Sequence, residues 1–226
     1  MQTLSIIAKQ PHIPLPSYTL RALMKQILEG LKIFHAVGLV HRDIKCCNIL
    51  LDNPPGSGLV HVKIADFGLA KVEDTADKKT YGTLQHMAPE LFLIPIIYTE
   101  KVDLYAAAIT FYRIITHRYP VNQQSFNAQQ KALKKLKAID RPDEIIDNLL
   151  WDLLSKMLEF QPDQRISAAK ALQHPYFTSP EAITDVSLEQ KDIALFSRVS
   201  EMNGDLNITE QILHKKNNKL RRICVI

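Results

Sequence analysis

Glycine is the first shortage. The chain has 226 residues and only seven glycines, where average usage would give about 16. They stand at 30, 38, 56, 58, 68, 82 and 204. Neither a GxGxxG run nor a Walker pattern can be drawn from them, so the sequence encodes no glycine-rich cradle for phosphates. Cysteine is scarce too. Three cysteines, two of them adjacent (Cys46 and Cys47), cannot build a disulfide framework, and the lack of CxxC spacing argues against a structural zinc site. Long apolar runs are missing. Leu91–Tyr98 is broken by Pro95 and Leu104–Tyr112 is short, both far below the roughly 20 residues that span a bilayer. Met1–Lys9 lacks the basic start, apolar centre and small-residue cleavage site of a secretion signal. One-sided charge is absent as well: 28 − 24 gives +4, too little to imply nucleic acid or a membrane surface.

What remains is the balance of a globular chain, with 46% hydrophobic and 23% charged residues. Its length fits one large domain, or one domain plus a tail. Pro11, Pro14 and Pro16 punctuate the start, with a short helical pattern before them. Ser17 is a candidate N-cap. Leu20, Leu23, Met24, Ile27, Leu28, Leu31 and Phe34 then recur at spacings of three and four, which predicts a long amphipathic helix ended by Gly38. Short strands in hairpins are predicted at 39–40, 48–51 and 60–64, with a turn over Asn53–Gly58. Residues 68–82 read as a surface loop. Helices are predicted at 100–116, 128–137, 143–159 and 166–174. The fold class is therefore α+β, mainly α. Residues 178–226 read as a polar, partly disordered tail with marginal helices near 188–202 and 207–216 and a basic end.

Chemistry concentrates in His41-Arg42-Asp43-Ile44-Lys45-Cys46-Cys47-Asn48, directly after the long helix. A carboxylate, an ammonium and an amide share one loop. Phosphoryl transfer needs such groups: an acceptor for the attacking hydroxyl's proton, a cation for the moving phosphoryl, and oxygen ligands for Mg²⁺. Asp66-Phe67-Gly68 follows a strand-like run, eighteen residues after Asn48, and Ala88-Pro89-Glu90 stands further on. A carboxylate at Asp66 suits a second Mg²⁺ contact.

These motifs, in this order and at these spacings, resemble the eukaryotic protein kinase family, serine/threonine type. Asp163-Gln164-Arg165 and His174-Pro175-Tyr176-Phe177 extend the likeness, which covers 1–177 and only the larger, C-terminal lobe. The resemblance implies ATP and Mg²⁺ as cofactors. It makes Asp43 the catalytic base and Lys45 the group that stabilises the transferred phosphoryl. Asn48 and Asp66 become the Mg²⁺ ligands, and Leu50 the residue beneath adenine. Lys45 with Thr83 is the serine/threonine pattern. His41 and Phe67 would stack as the lower part of a hydrophobic column, with Gly68 closing the second motif. Arg42 implies an activation segment ordered by phosphorylation, since a buried arginine wants an anion; Thr75, Thr80 and Tyr81 are the candidate acceptors. Glu90 and Arg165 would form a buried ion pair, and Asp103 would accept backbone hydrogen bonds from the catalytic loop. His86 reads as a surface or packing substitution, and Cys46 and Cys47 as packing residues.

The partners implied are proteins phosphorylated on Ser or Thr and an upstream activating kinase. The location implied is cytoplasmic or nuclear. The departure is the missing start: the family's glycine-rich loop, its lysine and the rest of the small lobe are not found in the sequence. With one face of adenine open and the small lobe's two holds on the phosphates missing, nucleotide affinity is expected to fall more than about a hundredfold. A noncatalytic interaction module built on the large lobe is the alternative reading. A small-molecule phosphotransferase is a third, disfavoured by Lys45, by the Asp66 motif and by the Glu90–Arg165 pairing.

Overall fold

A computed structural model describes residues 2–13, 15–52, 60–73 and 80–185, together with the backbone of 75–77. The helices expected at 188–202 and 207–216 and the basic end lie outside the described residues.

The predicted long helix is α2, Ser17–Ala36. Its stripe of Leu20, Leu23, Met24, Ile27, Leu28 and Leu31 is buried, each large side chain contributing about 1.5–3 kcal/mol of burial. Ser17 does not cap it. Pro16 takes the cap position, and the Ser17 hydroxyl donates instead to Asp185 Oδ2 at 2.9 Å. Gly38, at φ +71°, closes the C-terminal end by donating to the His35 carbonyl. Ahead of α2, the predicted helical stretch divides into strand β1 (Gln2–Thr3) and a single turn, α1 (Ser5–Ala8).

Helix α3, Glu100–Thr116, is buried on almost every side, as a helix at the centre of a core must be. Its outward neighbours are α2 and α5 (Asn148–Met157). Met24, Ile27, Leu28 and Leu31 meet Leu104, Ala107, Ala108 and Phe111 of α3 and Leu153, Leu154 and Met157 of α5 in one continuous core. Helix α5 is shorter than the expected 143–159: residues 143–147 form a turn and loop, and Asp147 starts the helix by accepting from the Leu149 and Leu150 N–H groups. Ile145 enters the core from the loop before it. Helix α4 covers Phe126–Lys135 and is capped by Ser125. The helix expected at 166–174 is only α6 (Ala168–Ala171). A second turn, α7 (Pro175–Thr178), is capped by His174, and α8 (Pro180–Thr184) follows it.

The strands are few. Strand β3 (Ile49–Asp52) pairs antiparallel with β4 (His61–Ile64) as the predicted hairpin, and β1 adds on the other edge of β3. Strand β2 (Leu39–Val40) is not part of a hairpin. It pairs with β5 (Lys71–Val72), and β6 (Thr75–Asp77) pairs with β7 (Ile96–Tyr98). Residues 68–82, expected as a plain loop, thus carry two strands whose partners are distant in sequence. Among the described residues, no helix is long and apolar enough to cross a membrane.

Candidate active site

The loop between β2 and β3 carries the site, and α3 holds it from below. Asp103, in the first turn of α3, is fully buried. Its Oδ2 accepts from the His41 N–H and its Oδ1 from the Arg42 N–H, both at 2.8 Å. His35 Nε2, from the end of α2, adds a third contact at 2.9 Å. This tether fixes a strained backbone: Arg42 sits at φ +70°, a conformation that costs of order 1–3 kcal/mol for a non-glycine residue.

Asp43 follows directly and is 8% exposed. Lys45 Nζ donates to its Oδ2 at 2.7 Å, and Asn48 Nδ2 donates to the same oxygen at 3.0 Å and to the Asp43 carbonyl at 2.9 Å. The Thr83 hydroxyl donates to Oδ1 at 2.8 Å and accepts from Lys45 Nζ at 3.0 Å. Burial pushes the Asp43 carboxyl up. The hydrogen bonds from Lys45 and Thr83, the Lys45 charge and Asn48 outweigh it and hold the group below the usual aspartate value. The result is a carboxylate, ionised at neutral pH, cradled by donors from two segments.

Asn48 and Asp66 are brought together by the backbone. The Ala65 N–H donates to the Asn48 carbonyl at 2.8 Å, which sets Asp66 beside the Asp43–Asn48 loop. Asp66 is exposed and left-handed, at φ +64°. One amide and one carboxylate are hard oxygen ligands, and Mg²⁺ takes one or two carboxylates and completes its shell from phosphates and water. The donor set therefore fits that ion, although among the described residues no three or more Asp, Glu, His or Cys side chains are grouped so as to hold a metal ion by themselves. Leu50 lies half-buried in β3, opposite Lys63 of β4 and Thr3 of β1.

His41 and Phe67 stack with centroids 5.3 Å apart, and Phe34 completes a triangle at 5.5 Å from Phe67 and 6.0 Å from His41. By its helical spacing Phe34 reads as one more core position of α2. That spacing does not show that the core ends at Leu31 and that a third ring is needed beyond it. Gly68 follows Phe67, within reach of the Asp66 carboxylate.

The segment from 80 to 90 joins the loop to the helices. Gly82 crosses against the Arg42–Asp43 loop at φ +109°, and a Cβ there would sit 2.6 Å from the Arg42 carbonyl. That close approach places Thr83 on Asp43. The Thr80 hydroxyl donates to the Leu91 carbonyl at 3.4 Å, and Tyr81 is about one-third exposed. Of Thr75, only the backbone in β6 is described. Glu90 meets Arg165 in a two-pronged ion pair at 2.6 and 2.9 Å. Arg165 also donates to the carbonyls of Glu159, Lys101 and Phe160 and lies against the Tyr105 ring.

One sequence expectation narrows here and one changes. Of the two readings of His86, surface or packing, packing holds: the side chain is buried. It stands edge-on to Tyr119, its two ring nitrogens lack partners among the described residues, and burial together with the Arg113 charge pulls its pKa down to about 3. Cys46 is packed in the core, whereas Cys47 is exposed.

The helical lobe thus carries a strained loop, an ionised aspartate under a lysine, and an adjacent amide–carboxylate pair. The sequence profile of the protein kinase domain matches residues 2–177, and the chain belongs to that family. It is 36% identical over 170 residues to serine/threonine-protein kinase cds1 of Schizosaccharomyces pombe, a match covering 70% of this chain and 35% of the relative. It is 37% identical over 189 residues to the DNA damage response protein kinase DUN1 of Saccharomyces cerevisiae, covering 75% and 36%. Cyclin-dependent kinase 11 of Dictyostelium discoideum is 32% identical over 202 residues, covering 76% and 54%. The chain spans about a third of the length of the first two relatives.

Proposed function

We propose that this chain provides the phosphoryl-transfer lobe of a serine/threonine protein kinase, which moves the γ-phosphoryl group of Mg²⁺-ATP to Ser or Thr hydroxyls of proteins. The observation that carries this reading is the Asp43 cluster. An ionised carboxylate, held by Lys45, Thr83 and Asn48, presents an acceptor for a hydroxyl proton. Asp43 orients the attacking oxygen and takes its proton. Lys45, only two residues on, reaches the same spot and balances negative charge on the moving group. Asn48 uses Nδ2 on Asp43, and its amide oxygen together with the exposed Asp66 carboxylate would hold Mg²⁺. Bound Mg²⁺ would neutralise the phosphate oxygens that these residues cannot reach. Leu50 supplies the apolar floor for adenine, and the Phe34–His41–Phe67 triangle supports the Asp66 turn.

Two features favour a protein hydroxyl over a metabolite. Thr83 ties the segment ahead of Glu90 to the catalytic carboxylate, and the Glu90–Arg165 pair fixes that segment as a platform beside it. The relatives cds1 and others are named as serine/threonine kinases, which supports the same choice. The partners are then protein substrates, and the location is cytoplasmic or nuclear.

The test is transfer of labelled γ-phosphate to a Ser/Thr-containing protein by the protein carrying this chain, purified from its own cells, beside its Asp43→Asn and Asp66→Asn forms. Label on serine and threonine that is lost in both variants is the expected result. No transfer by the unmodified protein, or equal transfer by Asp43→Asn, would give first place to a noncatalytic interaction lobe.

A further inference from the structure

An open groove lies between the turn at 89–92, helix α4 and residues 160–162. Phe92, Leu93, Leu133, Leu136 and Phe160 give it apolar walls, and its volume is about 360 Å³, within the roughly 300–1,000 Å³ of ligand clefts. The groove is preformed. Gln130 Nε2 donates to the Phe92 carbonyl at 2.6 Å, the Phe92 and Phe126 rings stand 4.7 Å apart, and Glu90 at the edge is held by Arg165. Leu93 is 54% exposed, and Ile94, next in the chain, is 94% exposed. Large apolar side chains grouped in water beside a groove mark an interaction site. The charge around the groove has one sign. Lys131, Lys134, Lys135 and Lys137 are all exposed, and none of them joins an ion pair among the described residues. Lys134 itself lines the groove, and no acidic residue stands between Ser125 and Ala138. Lys134 and Lys135, in the last turn of α4, complement the helix dipole, a role that does not call for Lys131 or Lys137. The carboxylate on the lining, Glu90, is neutralised by Arg165.

We propose that this groove docks a protein segment in which two apolar side chains stand among aspartates and glutamates. The apolar anchors fill the space between Phe92, Leu133 and Phe160, and the acids meet the lysines of α4. Burial of the anchors supplies affinity. The lysines select the sign of the partner's charge and speed its encounter. The groove shares no lining residue with the cluster of Asp43, Lys45, Asn48 and Thr83, so a docked segment leaves that cluster open. The rest of the docked partner is then held at raised effective concentration beside the lobe. Docking needs no phosphotransfer by the chain, so its failure and the failure of the proposed activity are read separately.

The experiment is fluorescence anisotropy on the full chain with a labelled peptide that carries two leucines one helical turn apart among aspartates and glutamates. Saturable binding that weakens as salt rises is the expected result. Lys131→Glu combined with Lys134→Glu, both at exposed positions, should weaken binding at least about tenfold, and Leu93→Ala about fivefold. Circular dichroism and an unchanged melting temperature report that the variants are folded. On the unmodified chain, the peptide with alanines for its leucines, or with lysines for its acids, should bind at least about tenfold more weakly. No saturable binding, equal binding of either altered peptide, or unchanged affinity in the folded charge-reversed variant would each overturn the proposal. Self-association of the chain that Leu93→Ala abolishes would assign the groove to a second copy and overturn it as well.

Discussion

Two carboxylate–cation pairs in this molecule lie at opposite ends of one segment and are built in opposite ways. Glu90 and Arg165 are joined by two parallel hydrogen bonds, and three carbonyls occupy the remaining donors of a guanidinium that is 1% exposed. Asp43 and Lys45 share one bond, and that lysine is divided between Asp43 and Thr83. The first pair is saturated and planar, as a permanent joint requires. In the second, a flexible ammonium and a hydroxyl can let go of the carboxylate when another group arrives. The same elementary interaction is structural where every donor is used and chemical where a donor can change partner.

The comparison breaks most sharply at the joint. Arg165→Ala leaves Glu90 uncompensated and should cost about 3–5 kcal/mol, read as a melting temperature lowered by about 10 °C. Asp43→Asn should do the reverse: phosphotransfer by the protein carrying this chain falls about a thousandfold, or about 4 kcal/mol in barrier, with melting nearly unchanged. Equal losses of melting temperature in the two variants would show that the pairs do not differ in kind. Gly82→Ala comes next, at about 1–3 kcal/mol, because the new Cβ collides with the Arg42 backbone at a φ that disfavours side chains. Calorimetry reads that cost, and weaker protection of the His86 amide, which donates to the Thr83 carbonyl, would show that the Thr83 turn has shifted.

The smallest effect sharpens the comparison with a third pair, Glu73 and Glu100, where like charges meet. The Glu100 N–H donates to Glu73 Oε1 at 2.9 Å, so Glu73 caps α3 from the activation segment. Burial, then the neighbouring Glu73, push the Glu100 carboxyl up to about 7, while the hydrogen bond from Glu100 lowers Glu73. A carboxyl whose folded pKa is raised favours the fold in its protonated form. Stability from this group is therefore complete below its unfolded value, declines as pH rises toward 7, and is constant above that. Glu100→Gln, which mimics the protonated form, should flatten the slope of melting temperature between about pH 5 and 7. A slope that survives the substitution would assign it elsewhere. Asp43 has the opposite sign: its lowered pKa means its contribution is lost only as pH falls below the ordinary aspartate range.

Much of this was legible in the chain itself. The expected bounds of α3, 100–116, are those of the helix, and α2 follows from its stripe, because helix patterns are local. The cluster of Asp43, Lys45 and Asn48 was legible for a different reason: the three lie in one short loop, so their proximity needs no long-range contact. The misread parts share a cause. Strands β5 and β6 have only two and three residues, and their partners lie about 30 and about 20 residues away, so no local pattern marks them. Ser17 had every mark of a cap, but Asp185 took its hydroxyl from across the fold. For His86 the sequence left surface and packing both open, and the packing of α3 against its turn decided for the second.

By itself the sequence determined α2 and α3, the loop that carries Asp43, Lys45 and Asn48, and the order of the motifs, since each depends on neighbours a few residues apart. The tertiary structure alone decided which groups share Asp43 and which are sealed. Asp103 reaches the loop of His41 and Arg42 from 61 and 62 residues away, Thr83 reaches Asp43 from 40, and Glu90 reaches Arg165 from 75. Those contacts form because burying α3 at the centre of the core leaves each of these polar groups one place to satisfy its hydrogen bonds.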